Sequence, residues 1–518
     1  MFNNLLYTLE VILLYRQIHK GIKLSVYMLT ILGGLLVSVS HATVVAKYDL
    51  LELSLTAEKS YWNPYLQMPG NSFSPSFVVG AFIGPNGEKI QIDGFWDGGR
   101  VWKIRMAPMA VGIWTYQTSS PDPGLNGNKG SFECIRSESP GFIRIHPQNP
   151  YAFVYDDGTP FFWMGDTQVI FYHHNKGDYS FDNGTFQSLQ DLRASQGITS
   201  LYFGSWLFKK KGNFAQNEGG YNFNKSNPDL LNPSFWQWAD KRLQYVVSKG
   251  MVPGLGVGWP DQGIASFGDN RLMRALRYMI ARYAAYNVMW ILFGEADEFG
   301  MGWENKVRYF GKTVKKLDPY NHLLSTHVTN RTSPSIGGDS WLDINTEQIA
   351  GCSYIIPDRK NKKPVVNLEF GYEGNISPDV LRKRAWGIVC NGGYFQYGDN
   401  LKRTTPGRTY CANLAYFFTK ETKFWRLDPH SEYVKQGTGY CTAIPGQEYV
   451  VYLPSGGRCM VDLLAGKGTF SVAWYNPQSG YYPDKSKIAG GKIASFAPPD
   501  PNDWVLHLKK LPGVHPAE

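Results

Sequence analysis

Between Phe161 and Phe424, short apolar runs alternate with longer amphipathic stretches, and this alternation restricts the fold more than any other feature of the chain. Its clearest unit is Asn270–Glu298. Asn270–Tyr286 carries Leu272, Leu276, Met279, Ile280 and Tyr283 on helical spacing, which predicts an amphipathic helix. Val288–Phe293 is continuously apolar, with β-branched and aromatic residues, which predicts a strand buried on both faces. Gly294 then meets three carboxylates, Glu295, Asp297 and Glu298. Helix, buried strand and acidic tip form the repeat unit of a parallel α/β barrel, whose chemistry sits at the C-terminal ends of the strands.

The same reading predicts strands at Phe161–Gly165, Ile198–Gly204, Val252–Gly258, Val288–Phe293, Leu323–Val328, Trp341–Thr346, Pro364–Phe370 and Gly393–Tyr397. Helices are predicted at Phe186–Gln196, Phe235–Lys249, Asn270–Tyr286, Trp303–Leu317, Pro378–Cys390 and Tyr410–Phe424. Eight such units over about 265 residues suit a (β/α)8 TIM barrel. Pro140–His146 and Tyr151–Tyr155 read as a hairpin plugging its bottom. From Tyr48 to Cys134, short strands recur with turns at Pro85-Asn-Gly87 and Asp97-Gly-Gly99, which predicts a β-sandwich. A similar pattern returns at Glu448–Leu453, Cys459–Leu464, Thr469–Tyr475 and Trp504–Leu508. The expected layout is a signal peptide at 1–42, an N-terminal β-sandwich at 43–138, a catalytic barrel at 139–428 and a C-terminal β-sandwich at 429–518. The fold class is α/β.

Lys20 and Lys23 precede an apolar run from Leu24 to Val39, and Ser40-His41-Ala42 is a small-residue cleavage site. This predicts export to the periplasm, cell surface or medium, with no membrane span after cleavage. The long leader, with a second apolar patch at Leu5–Tyr15, also suits a retained anchor. Cysteines stand at 134, 352, 390, 411, 441 and 459. Export permits disulfides, and Cys441 with Cys459 or Cys390 with Cys411 are conceivable pairs. Buried thiols suit equally, because a chain this long needs no staples. The formal charge of +9 is spread out, and the basic runs Lys209–Lys211 and Arg359–Lys363 accompany no nucleic-acid motif, so no nucleic-acid partner is expected. A mild attraction for acidic polysaccharides stays open. The abundant Trp, Tyr and Phe offer flat faces to sugar rings and equally fill cores. The sequence sets no oligomeric state.

In a barrel, the strand tips converge. The acids there are Asp166 after strand one, Asp261 after three, Glu295 and Asp297 after four, Glu369 and Glu373 after seven, and Asp399 after eight. A metal site would want a compact His/Asp/Glu motif. His173-His174 does not make one, and neither metal nor cofactor is expected. Glycoside hydrolysis wants two carboxyls flanking the scissile bond. Strands four and seven face each other across the ring, which places Glu295 and Glu369 as that pair. Other candidates are sorted by their place at the rim. Asp166 could bind a sugar hydroxyl or hold loops. Asp297 could bind substrate or anchor its loop. Trp259 and Asp261, in Gly258-Trp-Pro-Asp261, suit stacking and hydrogen bonding. Tyr372 and Glu373 could orient Glu369 or cap a turn, and His327 and Gln396 could contact substrate or be structural.

Three motifs, Phe161–Thr167, Val288–Asp297 and Lys363–Gly374, resemble the apiosidase-like glycoside hydrolases. Tyr48–Cys134, with Gly94-Phe-Trp-Asp-Gly-Gly99 and Arg105-Met-Ala-Pro108, resembles the β-sandwich that precedes that barrel, and the C-terminal segment resembles the family's collagen-binding-like domain. The resemblance implies a retaining glycosidase with Glu295 as general acid/base and Glu369 as nucleophile. The family pattern carries Asp after Gly-Gly at strand four, whereas this chain has Phe293-Gly-Glu295. The longer acid sets its carboxyl further into the cavity, so the resemblance carries the reaction class and not the sugar. The expected function is a secreted hydrolase of plant or algal poly- or oligosaccharides. The alternative is an inactive polysaccharide-binding or matrix-adhesion protein on a barrel scaffold.

Overall fold

The computed structural model describes residues 43–67, 77–168, 180–204, 206–210, 213–399, 405–483 and 485–512. Residues 1–42, where a signal peptide is predicted, and His173-His174 and Lys211 lie outside them. The central sheet contains β1 (Met164–Thr167), β2 (Ser200–Phe203), β3 (Val252–Leu255), β4 (Met289–Ile291), β5 (Leu324–Ser325), β6 (Asn345–Glu347), β7 (Val365–Asn367) and β8 (Tyr394–Tyr397). They run parallel in the order β5-β4-β3-β2-β1-β8-β7-β6. The β5 and β6 edges are laced by isolated bonds. Asp343 N donates to Leu324 O at 2.8 Å, and Ser325 Oγ donates to Ile344 O at 2.7 Å. The result is a nearly closed eight-stranded barrel.

Around it lie α1 (Thr185–Ser195), α2 (Pro233–Ser248), α3 (Asp269–Tyr283), α4 (Trp303–Leu317), α5 (Pro378–Cys390) and α6 (Pro406–Tyr416). Local chemistry sets several starts. Asn232 accepts from Ser234 N and Ser377 from Val380 N, each ahead of a proline in the first turn. Two predicted strands are displaced. Phe161 pairs back with Phe153 of the hairpin, so the barrel strand begins later and contains Asp166. Trp341 packs against Gly311 of α4 rather than entering the sheet, so β6 starts at Asn345. The hairpin seals the bottom, with Phe153 at 5.4 Å from Trp163 and 5.1 Å from Tyr394, between ring centroids.

Before the barrel, antiparallel strands Lys129–Ile135, Gly112–Ser119, Val79–Ile83 and Lys89–Asp93 pair in that order. Leu51–Thr56, Val101–Met106 and Phe95–Gly98 form the second layer, whose Ile104 packs against Gly80 of the first. Phe95 and Trp96, in the Gly94–Gly99 motif, are core. Arg105 of the next motif bonds Asp240 of α2 at 2.6 Å, and Arg282 of α3 does the same. The C-terminal sandwich joins α5 through Arg382–Asp503 at 2.7 Å and through Trp386 stacked on Tyr452. The Arg359–Lys363 run is spent on the scaffold, with Arg359 on Asp428 and Lys363 on the carbonyls of Gly337 and Asp339. All six cysteines are free thiols, so neither conceivable disulfide forms.

Candidate active site

Glu295 follows β4 in the left-handed region, at φ 46° and ψ 49°. For a residue with a Cβ this conformation costs about 1–3 kcal/mol and is held by its surroundings. Ala296 N donates to His327 O at 2.9 Å and Glu298 N to Glu295 O at 2.9 Å. The residue before it must be glycine, because a Cβ on Gly294 would stand 2.0 Å from Trp259 Cε2. The same indole rests on Gly204, where a Cβ would come within 2.3 Å. Trp259 is therefore almost buried, at 7% exposure, as a support beneath the β4 tip.

Glu369 follows β7, and its N–H donates to Asn367 Oδ1 at 3.2 Å. Burial, then the charge of Glu295, pushes its carboxyl up to about 7, while a hydrogen bond from Tyr372 pulls the other way. Burial and Glu369 hold the Tyr372 hydroxyl well above its ordinary range, so it stays a donor. Gln348 Nε2 donates to Glu295 Oε1 at 3.1 Å. Each carboxyl thus takes one hydrogen bond from its own neighbour, and Glu369 also feels the charge of Glu295.

The remaining candidates divide. Asp261 is exposed, and with Glu295 and Asp297 it adds to the burial that raises Glu298. Asp297 accepts from Thr329 N at 2.8 Å and from the Thr329 hydroxyl, so it ties the β4 loop to the β5 loop. Glu373 accepts from the Tyr397 hydroxyl and, at 3.1 Å, from Gly407 N at the start of α6. Gln396 lies inside the barrel between Trp163 Nε1, at 3.0 Å, and Asp166 O, at 2.7 Å. Asp166 is fully enclosed, with Arg193 at 2.9 Å, Arg408 at 2.9 Å and Gln168 at 3.0 Å. Asp399 pairs with Arg408 in the same cluster. These contacts tie Asp166, Asp297, Glu373 and Gln396 into the scaffold around the site.

His327 is buried, and burial pushes its imidazole down to about 4, so it is neutral. Among the described residues, its ring nitrogens, the Tyr202 hydroxyl and Gln348 Oε1 have no partner of normal geometry. Tyr202 stands 6.1 Å from His327 and 6.0 Å from Trp259 between ring centroids, within the field of Glu369 and Glu295. Tyr202 and Gln348 were not among the sequence candidates. The signal for Tyr202 is a hydroxyl in an otherwise apolar strand, a group that needs a partner when buried. Gln348 was hidden by the early boundary predicted for strand six. Among the described residues, no group of three or more His, Cys, Asp or Glu could hold a metal.

Residues 147–404 match the family described as "Apiosidase-like, catalytic domain". The barrel belongs to the apiosidase-like family. Residues 44–121 match "Domain of unknown function (DUF5060)", and 431–509 match "Putative collagen-binding domain of a collagenase". No curated protein matches the chain. Among solved structures, one named "putative glycoside hydrolase" from Bacteroides vulgatus is 18% identical, with a TM-score of 0.73 over 90% of this chain and 100% of that one. A glycoside hydrolase family 5 protein from the same species is 17% identical, with a TM-score of 0.60 over 72% of this chain and 94% of that one. Another, named "Glycoside hydrolase", gives 17%, 0.60, and coverage of 72% and 97%. At these identities the structures carry the fold, and the apiosidase-like family makes the barrel a glycosidase.

The acid pair has a stability consequence. Glu369 moves from the ordinary 4.5 up to about 7 on folding, and buried Glu347, beside Asp358, from 4.5 up to about 8. The folded chain holds these protons where the unfolded chain has released them. Their contribution is full below pH 4.5 and is lost as pH rises through 7 and 8. Thermal midpoints are expected to fall from pH 5 to pH 8, and Glu369→Gln to melt above the parent at pH 8 but not at pH 4.5. A parent midpoint that rises over this interval would contradict the assignment.

Proposed function

We propose that this glycosidase hydrolyses O-glycosidic bonds in plant or algal poly- or oligosaccharides by double displacement, with Glu369 as nucleophile and Glu295 as general acid/base. The supporting observation is the pair of carboxyls that follow β4 and β7, where burial, and after it the charge of Glu295, raises Glu369 to about 7. The Tyr372 donor favours charge on Glu369, the form that attacks.

In the first step Glu295 protonates the leaving oxygen as Glu369 attacks the anomeric carbon, giving a glycosyl ester and the freed alcohol. In the second, Glu295 takes a proton from water, whose oxygen displaces Glu369 and restores the pair. Retention places such carboxyls ~5–5.5 Å apart. The Lys20–Ala42 pattern supports export to the periplasm, cell surface or medium. Among the described residues, no helix is long and apolar enough to cross a membrane.

The test is incubation with a plant and algal glycan panel, following released reducing ends and, by proton NMR, the first anomer formed. A first product with the configuration of the substrate is expected. An inverted first product overturns the double displacement, and no release from any glycan overturns the hydrolase reading of this chain.

A further inference from the structure

At the end of the barrel away from the acid pair, a cleft of about 440 Å³ opens against the N-terminal sandwich. Small-ligand sites span ~300–1,000 Å³. Its barrel wall comes from residues that lead into β3 and β4, Gly250–Met251 and Ala285–Asn287, and from the last turn of α2. It therefore lies on the N-terminal face of the strands. The sandwich supplies Tyr48 and Asp49, and the linker and hairpin supply Gly141 and Tyr155.

Three features set this cleft apart from a plain seam. The first is how Tyr48 is held. It adopts φ 66°, a left-handed conformation that a residue with a Cβ takes only where the structure imposes it. Tyr48 N donates to Pro108 O at 2.9 Å, its hydroxyl bonds Asp156, and Phe142 meets its ring edge-on at 5.3 Å. Gly141, at φ 90°, makes room, since a Cβ there would stand 2.8 Å from Tyr48 Cζ. The ring stays half-buried in the cleft wall, and Tyr155 is likewise half-buried.

The second feature is a polar rim on aromatic walls. Asp49, Gln244 and Ser248 are exposed there. Gln244 Nε2 donates to the Tyr286 hydroxyl at 2.9 Å, which fixes the amide. The third is charge. Among its lining residues the one charged side chain is the Asp49 carboxylate, while the Lys47 ammonium stands 4.9 Å from the centroid of the Tyr48 ring. A phosphate or uronate would meet the Asp49 carboxylate within the lining. A neutral polyhydroxylated ring would meet apolar faces, a carboxylate acceptor and an amide.

We propose that this cleft is a second, non-catalytic site that holds a neutral stretch of glycan chain at the far end of the barrel from the acid pair. It rests on the glycosidase reading only for the class of ligand.

The test is native gel electrophoresis of full-length Glu369→Gln protein in gels containing galactomannan, arabinoxylan or laminarin, with polygalacturonate as the acidic probe. At least one neutral polymer is expected to retard the protein, and polygalacturonate not to. Adding Ser248→Trp, which fills the cleft from an exposed helix end, is expected to weaken that retardation at least tenfold. Gln244→Ala is expected to weaken it several-fold with an unchanged melting midpoint, which keeps the test valid should the tryptophan variant misfold. In the Glu369-bearing enzyme, Ser248→Trp should slow hydrolysis of the retarding polymer and leave kcat/KM on short aryl glycosides unchanged. The proposal is overturned if no neutral polymer retards the protein, if polygalacturonate retards it equally, or if both cleft variants bind as the parent does. Retardation is read with the nucleophile disabled, so a failure of hydrolysis alone would remove the catalytic reading and leave this site standing.

Discussion

Glu369→Ala is expected to lower kcat by at least about 10³-fold on any glycoside the parent cleaves, with the fold intact. It removes the atom that would form the glycosyl ester, so the loss should hardly depend on the leaving group. Glu295→Ala should behave differently. Removing a general acid costs ~10²–10⁴-fold when the leaving alcohol needs its proton. A dinitrophenyl glycoside, whose phenolate leaves unaided, should form the glycosyl ester at close to the parental rate. Azide then separates the two roles by product. With Glu295→Ala it should intercept the glycosyl ester and give an azide of retained configuration. With Glu369→Ala it should attack the substrate directly and give the inverted azide. The reverse pattern would exchange the two assignments, and a near-parental rate for Glu369→Ala would remove that residue from the mechanism.

The two acids were legible in sequence because both sit where a periodic pattern ends. Val288–Phe293 is an apolar run with Glu295 as the first charged residue after it, and Glu369 is the one charged residue of the run Pro364–Phe370, next to its end. Counting helices located both strands in the ring, and α5 begins and ends where its periodicity does. What the pattern could not carry is which polar groups find partners far along the chain. Gln396 ends a strand and reads as a rim residue, yet its amide spans the barrel interior to Trp163 and Asp166, 233 and 230 residues away. Glu373 reads as a companion of Glu369, yet it caps the start of α6. Trp259 reads as a rim residue, and the sequence does not show that two glycines, Gly204 and Gly294, make space for its indole. Each case depends on side-chain direction at a strand tip, which the two-residue alternation leaves open once the strand ends.

Asp166 gives the largest expected loss of stability. Four charges, Asp166, Asp399, Arg193 and Arg408, are nearly or wholly buried where β1 and β8 meet α1 and α6. Burial alone would raise the Asp166 carboxyl, but Arg408 and Arg193 overcome it and hold the group below the usual carboxylate range. Two acids and two guanidinia balance, so every member leaves an uncompensated buried charge when it is removed. Breaking a buried pair from one side costs ~3–5 kcal/mol, much more than the pair itself contributes over an apolar replacement. Asp166→Ala and Arg408→Leu are each expected to lower unfolding stability by about that amount in urea titrations. The double variant should lose less than the sum, because each removal takes away the charge that the other would strand. KM measured well below the melting range should move little in Arg193→Gln, which reaches the cavity only through Asp166. An unchanged urea midpoint for Asp166→Ala, together with a many-fold rise in KM, would instead place Asp166 on the sugar, as its position after the first strand first suggested.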